Sequence, residues 1–374
     1  MISDNFKLKG KELFYLIIVT LPPLLLLFVP NYAAIFIGID SWMIFVLIAA
    51  IDMVFAYITV KIGMLAKGKT VIGMCKYAFG NMIGTFFGAL FVLLFGFKSL
   101  MFFRQSLEYA FMSTYTLEPI YYFAIPMIIV LIYGQFGGTN NVVRLSNIVF
   151  WLMIATYFLV MLSAVRNFDI NSLRPVMVNG VEPVINSLPH FFTWSGNTVV
   201  LLMLFNKTNM TKGVMKYVMS ACGIAYAVII ALTIFFIGVF GVIAAFVTTS
   251  VTELSLFLNS KVFFNNFDSA VKLIWIFGAL IRDCIFISCT VDALTELLNL
   301  TDNKIVKIIL PLLLTVPAVF LFRNEEKYFM SAMGLSSIMC AVVQYGCVFL
   351  LFVGLIIKNK NKEAQNTQKA VEAK

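Results

Sequence analysis

Charged residues and histidine are scarce in this sequence, and both shortages narrow the possible functions. Charged side chains make up 12% of the 374 residues, against about 25% in an ordinary soluble domain. His190 is the only histidine, so a Ser-His or Cys-His pair would have to use it. Neither a G-x-S-x-G nor an H-E-x-x-H motif accompanies it. We therefore predict that the protein is not an enzyme.

Closely spaced cysteines are also missing. The six cysteines lie mostly inside apolar runs, at Cys75, Cys222, Cys284, Cys289, Cys340 and Cys347. This arrangement has neither the even, close spacing of a disulfide framework nor the spacing of zinc ligands. We expect free, buried thiols, no metal site and no other cofactor.

Hydrophobic residues, in contrast, fill the chain. They make up 61% of it, the mean hydropathy is +0.97, and apolar runs near 20 residues recur from end to end, each long enough to cross a hydrocarbon core of about 30 Å. The sequence therefore predicts an all-α polytopic membrane protein with ten transmembrane helices. Their approximate bounds are 12–30, 42–60, 82–112, 119–134, 148–165, 190–205, 217–246, 270–299, 305–322 and 329–357.

The basic residues are distributed unevenly between the two sides of this arrangement. With the amino terminus in the cytoplasm, five of the 27 basic residues fall in outward loops: Arg166, Arg174, Lys261, Arg323 and Lys327. Four lie within predicted helices, at Lys98, Arg104, Lys272 and Arg282, and the other 18 face inward. This positive-inside pattern predicts cytoplasmic amino and carboxyl termini. The net charge of +9 then indicates contact with anionic membrane lipids and no nucleic-acid partner.

The segment "GMLAKGKT", residues 63–70, matches the P-loop pattern G-x-x-x-x-G-K-S/T. A P-loop needs a strand that delivers the glycine-rich turn to the start of a helix, where N–H groups hold phosphates. Here a membrane helix precedes the segment. We therefore predict an inward loop with Gly68 in a turn and no bound nucleotide.

Two predicted helices are interrupted in matching places. The first contains Pro22 and Pro23, and proline removes a backbone donor and clashes with the preceding turn. The sixth contains "WSGN", residues 194–197, within an apolar run. These helices open the two five-helix halves, and paired interruptions mark transporter binding sites near the bilayer midplane. We expect the unwound turns to leave N–H and C=O groups free for a ligand. The alternative is that the prolines only shape helix packing.

Helices three and eight carry charges that cannot face lipid. Lys98, Arg104, Gln105 and Glu108 form one stripe on the third helix. Arg104 and Glu108 stand four residues apart and can satisfy each other, whereas Lys98 has no partner on its own helix.

On the eighth helix, Asp283 points about 100° away from Arg282, so the two side chains can serve different neighbours. Asp52 in the second helix is a possible partner of Lys98 or Arg282. These groups either form internal ion pairs that fix helix packing or line a ligand or water pathway. For Lys98 and Arg282 we favour the pathway.

The outer loop "FDINSLRPVMVNGVEPVINSLP" (168–189), followed by "HFFTWSGNTVVLLMLF", resembles the signature of the B subunit of spore germinant receptors. This resemblance implies a LeuT-like inverted repeat of five plus five helices in the inner membrane of a bacterial spore. It also implies assembly with a receptor A subunit and a lipoprotein C subunit, and binding of a small germinant such as an amino acid. The segments predicted from the apolar runs and the charge distribution are a cytoplasmic start (1–11), a first five-helix set (12–165), the outer loop (166–189), a second five-helix set (190–357) and a disordered cytoplasmic tail (358–374), and the resemblance implies that the two sets are repeats.

Carried over by position, the resemblance implies a germinant-binding set at the two interruptions, the third helix and the eighth helix. Its members are Thr20, Pro22, Pro23, Lys98, Phe102, Trp194, Ser195, Gly196, Asn197, Arg282 and Asp283. A polar relay or set of ion pairs comprises Asp52, Arg104, Gln105 and Glu108.

The sequence departs from the family pattern at the site. Asn197 follows the glycine of the sixth helix, where family members often have an acidic residue, and Lys98 and Arg282 are cations where smaller or neutral residues are more usual. We therefore hypothesise a germinant with a carboxylate or other anionic group. The alternative function is an amino acid transporter coupled to H⁺ or Na⁺, with Asp52, Glu108 or Asp283 as the proton carrier.

Overall fold

The computed structural model describes residues 7–114, 119–178, 180–258, 267–300, 304–322 and 325–372. Across these ranges the backbone is helical, apart from loops and one isolated bridge between Leu8 and Thr208. The first six helices are α1 (Gly10–Leu26), α2 (Val29–Ile37), α3 (Trp42–Leu65), α4 (Val71–Phe79), α5 (Asn81–Ser113) and α6 (Tyr121–Val165). The remainder are α7 (Glu182–Ser187), α8 (Leu201–Leu204), α9 (Lys212–Phe240), α10 (Ser250–Ser255), α11 (Phe267–Leu297), α12 (Val306–Leu321), α13 (Glu325–Met333), α14 (Leu335–Ala341) and α15 (Val348–Glu372).

Several of these helical segments are long and apolar enough to cross a membrane. By length and composition they are Val29–Leu65, Asn81–Ser113, Tyr121–Val165, Lys212–Phe246 and Leu335–Lys362. A sixth is obtained if α12 and α13, bent by 116°, count as one span. The prediction of a polytopic all-α membrane protein is therefore confirmed, whereas the count of ten crossings and the five-plus-five repeat stay predictions.

The first helix differs from the prediction. Helix α1 continues through Pro22 and Pro23 to Leu26, and the interruption comes at Phe28, with φ −135° and ψ −26°. Pro22 has no N–H to give to the carbonyl of Ile18, and the hydroxyl of Tyr157 donates to that carbonyl at 3.2 Å instead. A neighbouring helix thus supplies the donor that Pro22 removes, and the helix continues past the proline pair.

Helix α6 joins the two crossings predicted at 119–134 and 148–165. The predicted loop between them is helical on both sides of Gly138, which alone has non-helical geometry, with φ 74° and ψ 157°. A glycine adopts this positive φ without the steric cost of a side chain. The chain therefore kinks at one residue, where the sequence predicts a longer loop.

The helix that the sequence predicts at 190–205 is interrupted where the sequence indicates. A 3-10 turn ends at Phe191, Gly196 is left-handed with φ 66°, and a second 3-10 turn begins at Asn197 and leads into α8. The helices therefore leave a non-helical stretch, residues 192–196, in the middle of the molecule. We call this stretch the α7–α8 interruption.

Two other segments bear on the predictions. The P-loop look-alike connects α3 to α4: Gly68 turns with φ +74°, and the Thr70 hydroxyl accepts from Gly73 N–H at the start of α4. A helix and not a strand precedes it. At the other end, α15 runs to Glu372, whereas the sequence predicts a disordered tail from residue 358. Lys, Glu, Gln and Ala in that tail are good helix formers, so they extend the apolar helix before them.

The site is built from helices that meet at the α7–α8 interruption. Helix α1 packs against α6, α9 and α11, helix α5 packs against α11, and α3 packs against α9 and α15. This packing brings α1, α5 and α11 around the stretch 192–201. Residues far apart in the chain therefore face one another there.

Candidate functional site

A small cavity lies between α1, the start of α8 and α11. It has about 460 Å³ of space free of protein atoms, its open mouth included. Its lining residues are Leu16, Ile17, Thr20, Leu21, Asn197, Thr198, Val200, Leu201, Arg282, Ile285 and Phe286. Seven of these are apolar and four are polar, the composition expected of a small-molecule site in which a few polar groups fix orientation. We call this space the central cavity.

Arg282 is the cation of the central cavity, and most of its donors are already used. Its Nε donates to Asp283 at 3.0 Å and its Nη1 donates to Gln105 at 3.3 Å. Its Nη2 donates to the Phe102 carbonyl at 3.0 Å and to Ser106 Oγ at 2.5 Å. A guanidinium has five N–H groups, so one N–H on Nη1 has no partner among the described residues.

The Arg282–Asp283 contact corrects one expectation. The sequence predicts that these two side chains point apart and serve different neighbours. In the structure they form an ion pair, Nη2 to Oδ1 at 2.9 Å, and both are buried. The two side chains converge although their positions on the helix lie about 100° apart. The reason is that a carboxylate buried away from water, such as Asp283, is costly unless a cation pairs with it.

Thr198 supplies a second polar group without an internal partner. It lines the central cavity with 7% of its surface exposed, and its Oγ1 makes no hydrogen bond among the described residues. Thr20, across the cavity on α1, donates to the Leu16 carbonyl at 2.8 Å and keeps its lone pairs as acceptors. A buried polar atom without a partner costs free energy unless a ligand or water binds it. Thr198 was not predicted as a site residue.

Lys98 and Asp52 bind opposite ends of one peptide group in the interruption. Lys98 Nζ donates to the Ser195 carbonyl at 2.6 Å and to Asn197 Oδ1 at 3.0 Å. The N–H of Gly196, the other end of that peptide group, donates to Asp52, 2.9 Å from both carboxylate oxygens. Asp52 is therefore linked to Lys98 through a peptide dipole, whereas the sequence left it as a partner of either Lys98 or Arg282.

Helix residues from the second half complete this network. The hydroxyls of Tyr226 and Tyr345 both donate to Asp52, the latter at 2.6 Å. Tyr345 also lies 2.7 Å from Ser195 Oγ, and it belongs to a π-helical turn, Val342–Cys347, of the kind that often marks functional sites. Neither tyrosine was predicted, although "VVQYG" was a visible polar signal inside an apolar run.

The peptide groups of the interruption are consequently bound by the protein itself. Gln344 Nε2 donates to the Phe192 carbonyl at 2.9 Å, and Asn197 Nδ2 donates to the Trp194 carbonyl at 2.6 Å. The sequence predicts that these groups are free for a ligand. Because side chains from α3, α5 and the π-helical turn reach them, the ligand-facing polar groups are instead the side chains of the central cavity.

The remaining polar groups of α5 pair as the sequence indicates or lie beside Arg282. Arg104 and Glu108 form an ion pair, Nη2 to Oε2 at 2.5 Å. Phe102 contacts both cations through its ring, with the Arg282 guanidinium carbon 5.1 Å and Lys98 Nζ 5.7 Å from the ring centroid. It also packs edge-to-face on Phe286 of the cavity. Of the two predicted ligand-binding cations, Arg282 lines the central cavity and Lys98 contacts the interruption.

A wide polar opening and an aromatic cluster lie at the two ends of α1. The opening measures about 1810 Å³ with its solvent-exposed mouth, and its lining includes Lys7, Thr139, Arg144, Lys207, Asp292 and Lys307. The aromatic cluster comprises Phe28, Tyr32, Tyr109, Trp194, Tyr328 and Phe329. Cavity residues 16–21 lie between these two features along the chain. Aromatic rings are thus packed at the Phe28 end of α1, beyond the cavity residues along the chain.

Similar proteins agree with this architecture. Spore germination protein KB of Bacillus subtilis (strain 168) is 25% identical over 235 residues, 62% of this chain and 62% of that protein. Spore germination protein A2 of the same organism is 26% identical over 245 residues, 63% of this chain and 66% of that protein. In these alignments the chain spans less than two thirds of either relative's length.

Solved structures of a manganese transporter from Eremococcus coleocola have a similar fold. Two mutant forms give TM-scores of 0.52 and 0.53 at 12% and 11% identity, covering 94% of this chain and 85% of the transporter. At this identity the likeness concerns the fold alone. Among the described residues, no three His, Cys, Asp or Glu side chains are grouped so that they could hold a metal ion.

The family comparison covers most of the chain. A family model described as spore germination protein matches residues 7–328. The family is one of permeases, and the fold neighbours are transporters and not enzymes. Together with the long apolar helices, these findings show that the chain is an integral membrane protein of the spore germination permease family, with the fold of a membrane transporter.

Proposed function

We propose that this chain is the transporter-like subunit of a spore germinant receptor, located in the spore inner membrane with both termini in the cytoplasm. It binds a small germinant in the central cavity and assembles with an A subunit and a lipoprotein C subunit. Family membership and the two germination relatives support the role in germination. The observation that carries the binding site is the pair of polar groups, Arg282 and Thr198, that retain unused bonding capacity in an apolar cavity.

The chemistry of the cavity selects a class of germinant. The remaining Nη1 hydrogen of Arg282 favours a carboxylate, because a charge-assisted hydrogen bond in a dry site is strong. Thr198 Oγ1 and the lone pairs of Thr20 suit an ammonium or hydroxyl group. The apolar residues of α1 and α11 favour contact with an aliphatic side chain. A small amino acid or a related carboxylate fits all three requirements.

Germinant binding is coupled to a signal by differential affinity. The cavity touches α1, α8 and α11, so a ligand that bridges these helices stabilises one of their arrangements relative to another. The change in population then passes to the A and C subunits. The sequence hypothesis also assigned Lys98 to ligand binding. Here Lys98 instead donates to the Ser195 carbonyl and so stabilises the α7–α8 interruption, on whose shape ligand binding depends.

The sharpest test uses Thr198, because its hydroxyl makes no internal hydrogen bond that would be lost. We expect Thr198→Val to raise the germinant concentration for half-maximal response about 2- to 10-fold, the loss of one hydrogen bond of about 0.5–1.5 kcal/mol. The matched control is Thr315→Val on α12, a buried threonine bonded only to its own helix through the Pro311 carbonyl. Both are measured as dye release from spores across an amino acid panel, with receptor level checked by immunoblot.

A second comparison tests the carboxylate. Spores should respond to the free amino acid and lose the response to its methyl ester, and Arg282→Lys should weaken the response to the acid while the protein still accumulates. Equal responses to acid and ester, or an unchanged concentration dependence in both Thr198→Val and Arg282→Lys, would exclude this cavity as the germinant site.

A transporter function is the second candidate, because the fold neighbours are transporters and Asp52, Glu108 and Asp283 are buried carboxylates able to carry protons. This alternative predicts uptake of labelled amino acid by vesicles that contain this chain alone. The receptor function predicts no uptake without the A and C subunits.

A further inference from the structure

The ammonium group of Lys98 occupies a cation position built from the oxygen atoms of the α7–α8 interruption. Its Nζ lies 2.6 Å from the Ser195 carbonyl oxygen and 3.0 Å from Asn197 Oδ1. The ring of Phe102 faces it at 5.7 Å. The whole side chain is inaccessible to solvent. The ammonium thus donates to two oxygen atoms, one in the interruption and one on the residue that directly follows it.

Interrupted helices in transporter folds present oxygen atoms of this kind to inorganic cations. Unwound carbonyls at the break coordinate Na⁺ or a proton, because they point into the core with no amide donor of their own. Here the ammonium group of Lys98, a covalently attached cation, binds oxygen atoms of this kind. A second monovalent cation placed close to Nζ would be repelled by the like charge of the ammonium group.

The surrounding charge is balanced with Lys98 in place. Asp52 accepts from Gly196 N–H, so the Ser195–Gly196 peptide dipole has its oxygen end at the ammonium and its N–H end at the carboxylate. The two tyrosine hydroxyls on Asp52 are neutral donors and add no charge. Removing the ammonium would therefore leave one buried negative charge beside two unsatisfied oxygens.

We infer that Lys98 is a tethered substitute for an inorganic cation, so that the α7–α8 interruption holds its shape without Na⁺ or K⁺. Its replacement by a short neutral side chain converts the same position into a site for a small monovalent cation. This inference concerns the cation requirement of the fold and holds whether the central cavity binds a germinant, a transported substrate or neither.

The test is a thermal melt of the purified full-length chain in detergent, at equal ionic strength in NaCl, KCl and choline chloride. Choline is too large for a position that an ammonium group fills. We expect the wild-type Tm to be the same in all three salts. We expect Lys98→Ala to melt lower in choline and to recover by about 2–4 °C or more in Na⁺, in K⁺ or with added ethylammonium, in a saturable way.

Two variants separate the charge from the volume. Lys98→Met fills the space without a charge, so its Tm should be low in every salt, since no cation can enter. Lys98→Arg keeps the charge and should stay independent of the salt. If Lys98→Ala cannot be purified, Lys98→Ser provides the same open position. The comparison of the wild-type Tm in the three salts does not depend on either variant.

The inference is overturned by either of two results. One is a saturable stabilisation of the wild-type chain by Na⁺ or K⁺ over choline. The other is a Tm of the short-side-chain variant that is equal in all salts and unaffected by ethylammonium. Because the readout is folding stability, neither result depends on a germinant response, and a failure of the proposed function would leave this test unchanged.

Discussion

Lys98 and Asp52 show how two buried charges compensate each other without touching. The peptide group between Ser195 and Gly196 connects them, accepting from the ammonium and donating to the carboxylate. Such charge-assisted bonds offset part of the several kcal/mol that each ion loses on leaving water. The pair therefore serves two purposes, since it neutralises the core and fixes a peptide group of the interruption that has no helical partners.

Because both charges act on one peptide group, their removal should not be additive. We expect Asp52→Asn and Lys98→Met each to destabilise the protein by about 3–5 kcal/mol, since each leaves an uncompensated buried charge. The double variant should lose less than the sum of the two, by at least about 1 kcal/mol. The measurement is the denaturation midpoint of the purified variants in matched detergent.

A distant pair gives the comparison for this cycle. Tyr122→Phe, at an exposed position of α6, combined with Lys98→Met should be additive. Additive losses for Asp52→Asn with Lys98→Met would mean that the peptide group transmits no coupling between the two charges.

At the scale of the element, the two helices that the sequence predicts to be interrupted behave differently. In the first crossing a proline pair is present but the helix continues, because Tyr157 donates to the carbonyl of Ile18 that Pro22 leaves without a donor. In the sixth crossing Gly196 adopts a left-handed conformation that other residues rarely adopt. Helix α1 thus keeps its helical form with a hydrogen bond from another helix. The α7–α8 interruption arises from the backbone conformation of Gly196, and side chains then bind its peptide groups.

The compensation by Tyr157 is testable with a single atom change. Tyr157→Phe keeps the ring that packs edge-on against Trp275 and removes only the donor to Ile18. We expect a loss of about 1 kcal/mol, from a buried carbonyl left without a partner. Tyr133→Phe, largely exposed on the same helix, should be neutral within about 0.5 kcal/mol. Equal melting of the two variants would show that the proline pair needs no outside donor.

The conformation of Gly196 makes a second prediction. A Cβ at this position would lie 2.4 Å from Gln344 Cδ, and φ is +66°. We expect Gly196→Ala to destabilise the protein by about 2 kcal/mol or more, from backbone strain plus the clash. Gly223→Ala in α9, whose Cβ would meet nothing within 4 Å, should be neutral or stabilising. Adding Gln344→Ala should recover only the clash, and full recovery would show that the backbone conformation costs little.

At the scale of the whole molecule, the surroundings of the two ends of α1 are unlike. The wide polar opening contains Lys7, Arg144, Lys207 and Lys307, which the sequence assigns to the cytoplasmic side. The aromatic cluster of Phe28, Tyr32, Tyr109, Trp194, Tyr328 and Phe329 lies at the other end of α1, where rings far apart in the chain stack, as between Tyr32 and Phe329. The molecule therefore has a polar opening beside the basic amino-terminal end of α1 and packed aromatic rings at the other end of this helix.

Thiol labelling tests both this asymmetry and the predicted orientation. Thr295→Cys lies on α11 in the polar opening, and Thr290→Cys lies on the same helix, nearly buried outside that lining. We expect a membrane-impermeant thiol reagent to label Thr295→Cys at least about tenfold faster than Thr290→Cys, and only from the cytoplasmic face of vesicles. The six native cysteines are buried and give little background. Labelling of Thr295→Cys from the outer face would contradict the orientation.

Much of the fold was predictable because its determinants are local in sequence. Long apolar runs predict a membrane protein from the sequence alone, because each run has the length that is needed to cross the bilayer. The "WSGN" stretch indicated the sixth-crossing interruption because glycine and polar residues stand out in an apolar run. The Arg104–Glu108 pair followed from helical periodicity. The count of crossings was less accessible, because a kink at one glycine, Gly138, joins two predicted helices.

The sequence alone determined that this chain lies in a membrane and that its interior holds charges which must be compensated, because the cost of a charge in hydrocarbon does not depend on its neighbours in the fold. Only the tertiary structure decided the partners. Tyr157 donates to the Ile18 carbonyl of the proline-containing helix α1, and Tyr226 and Tyr345 donate to Asp52. In each pair the two residues are more than 100 positions apart in the sequence. No periodicity marks such contacts, since they depend on how separate helices pack around the α7–α8 interruption.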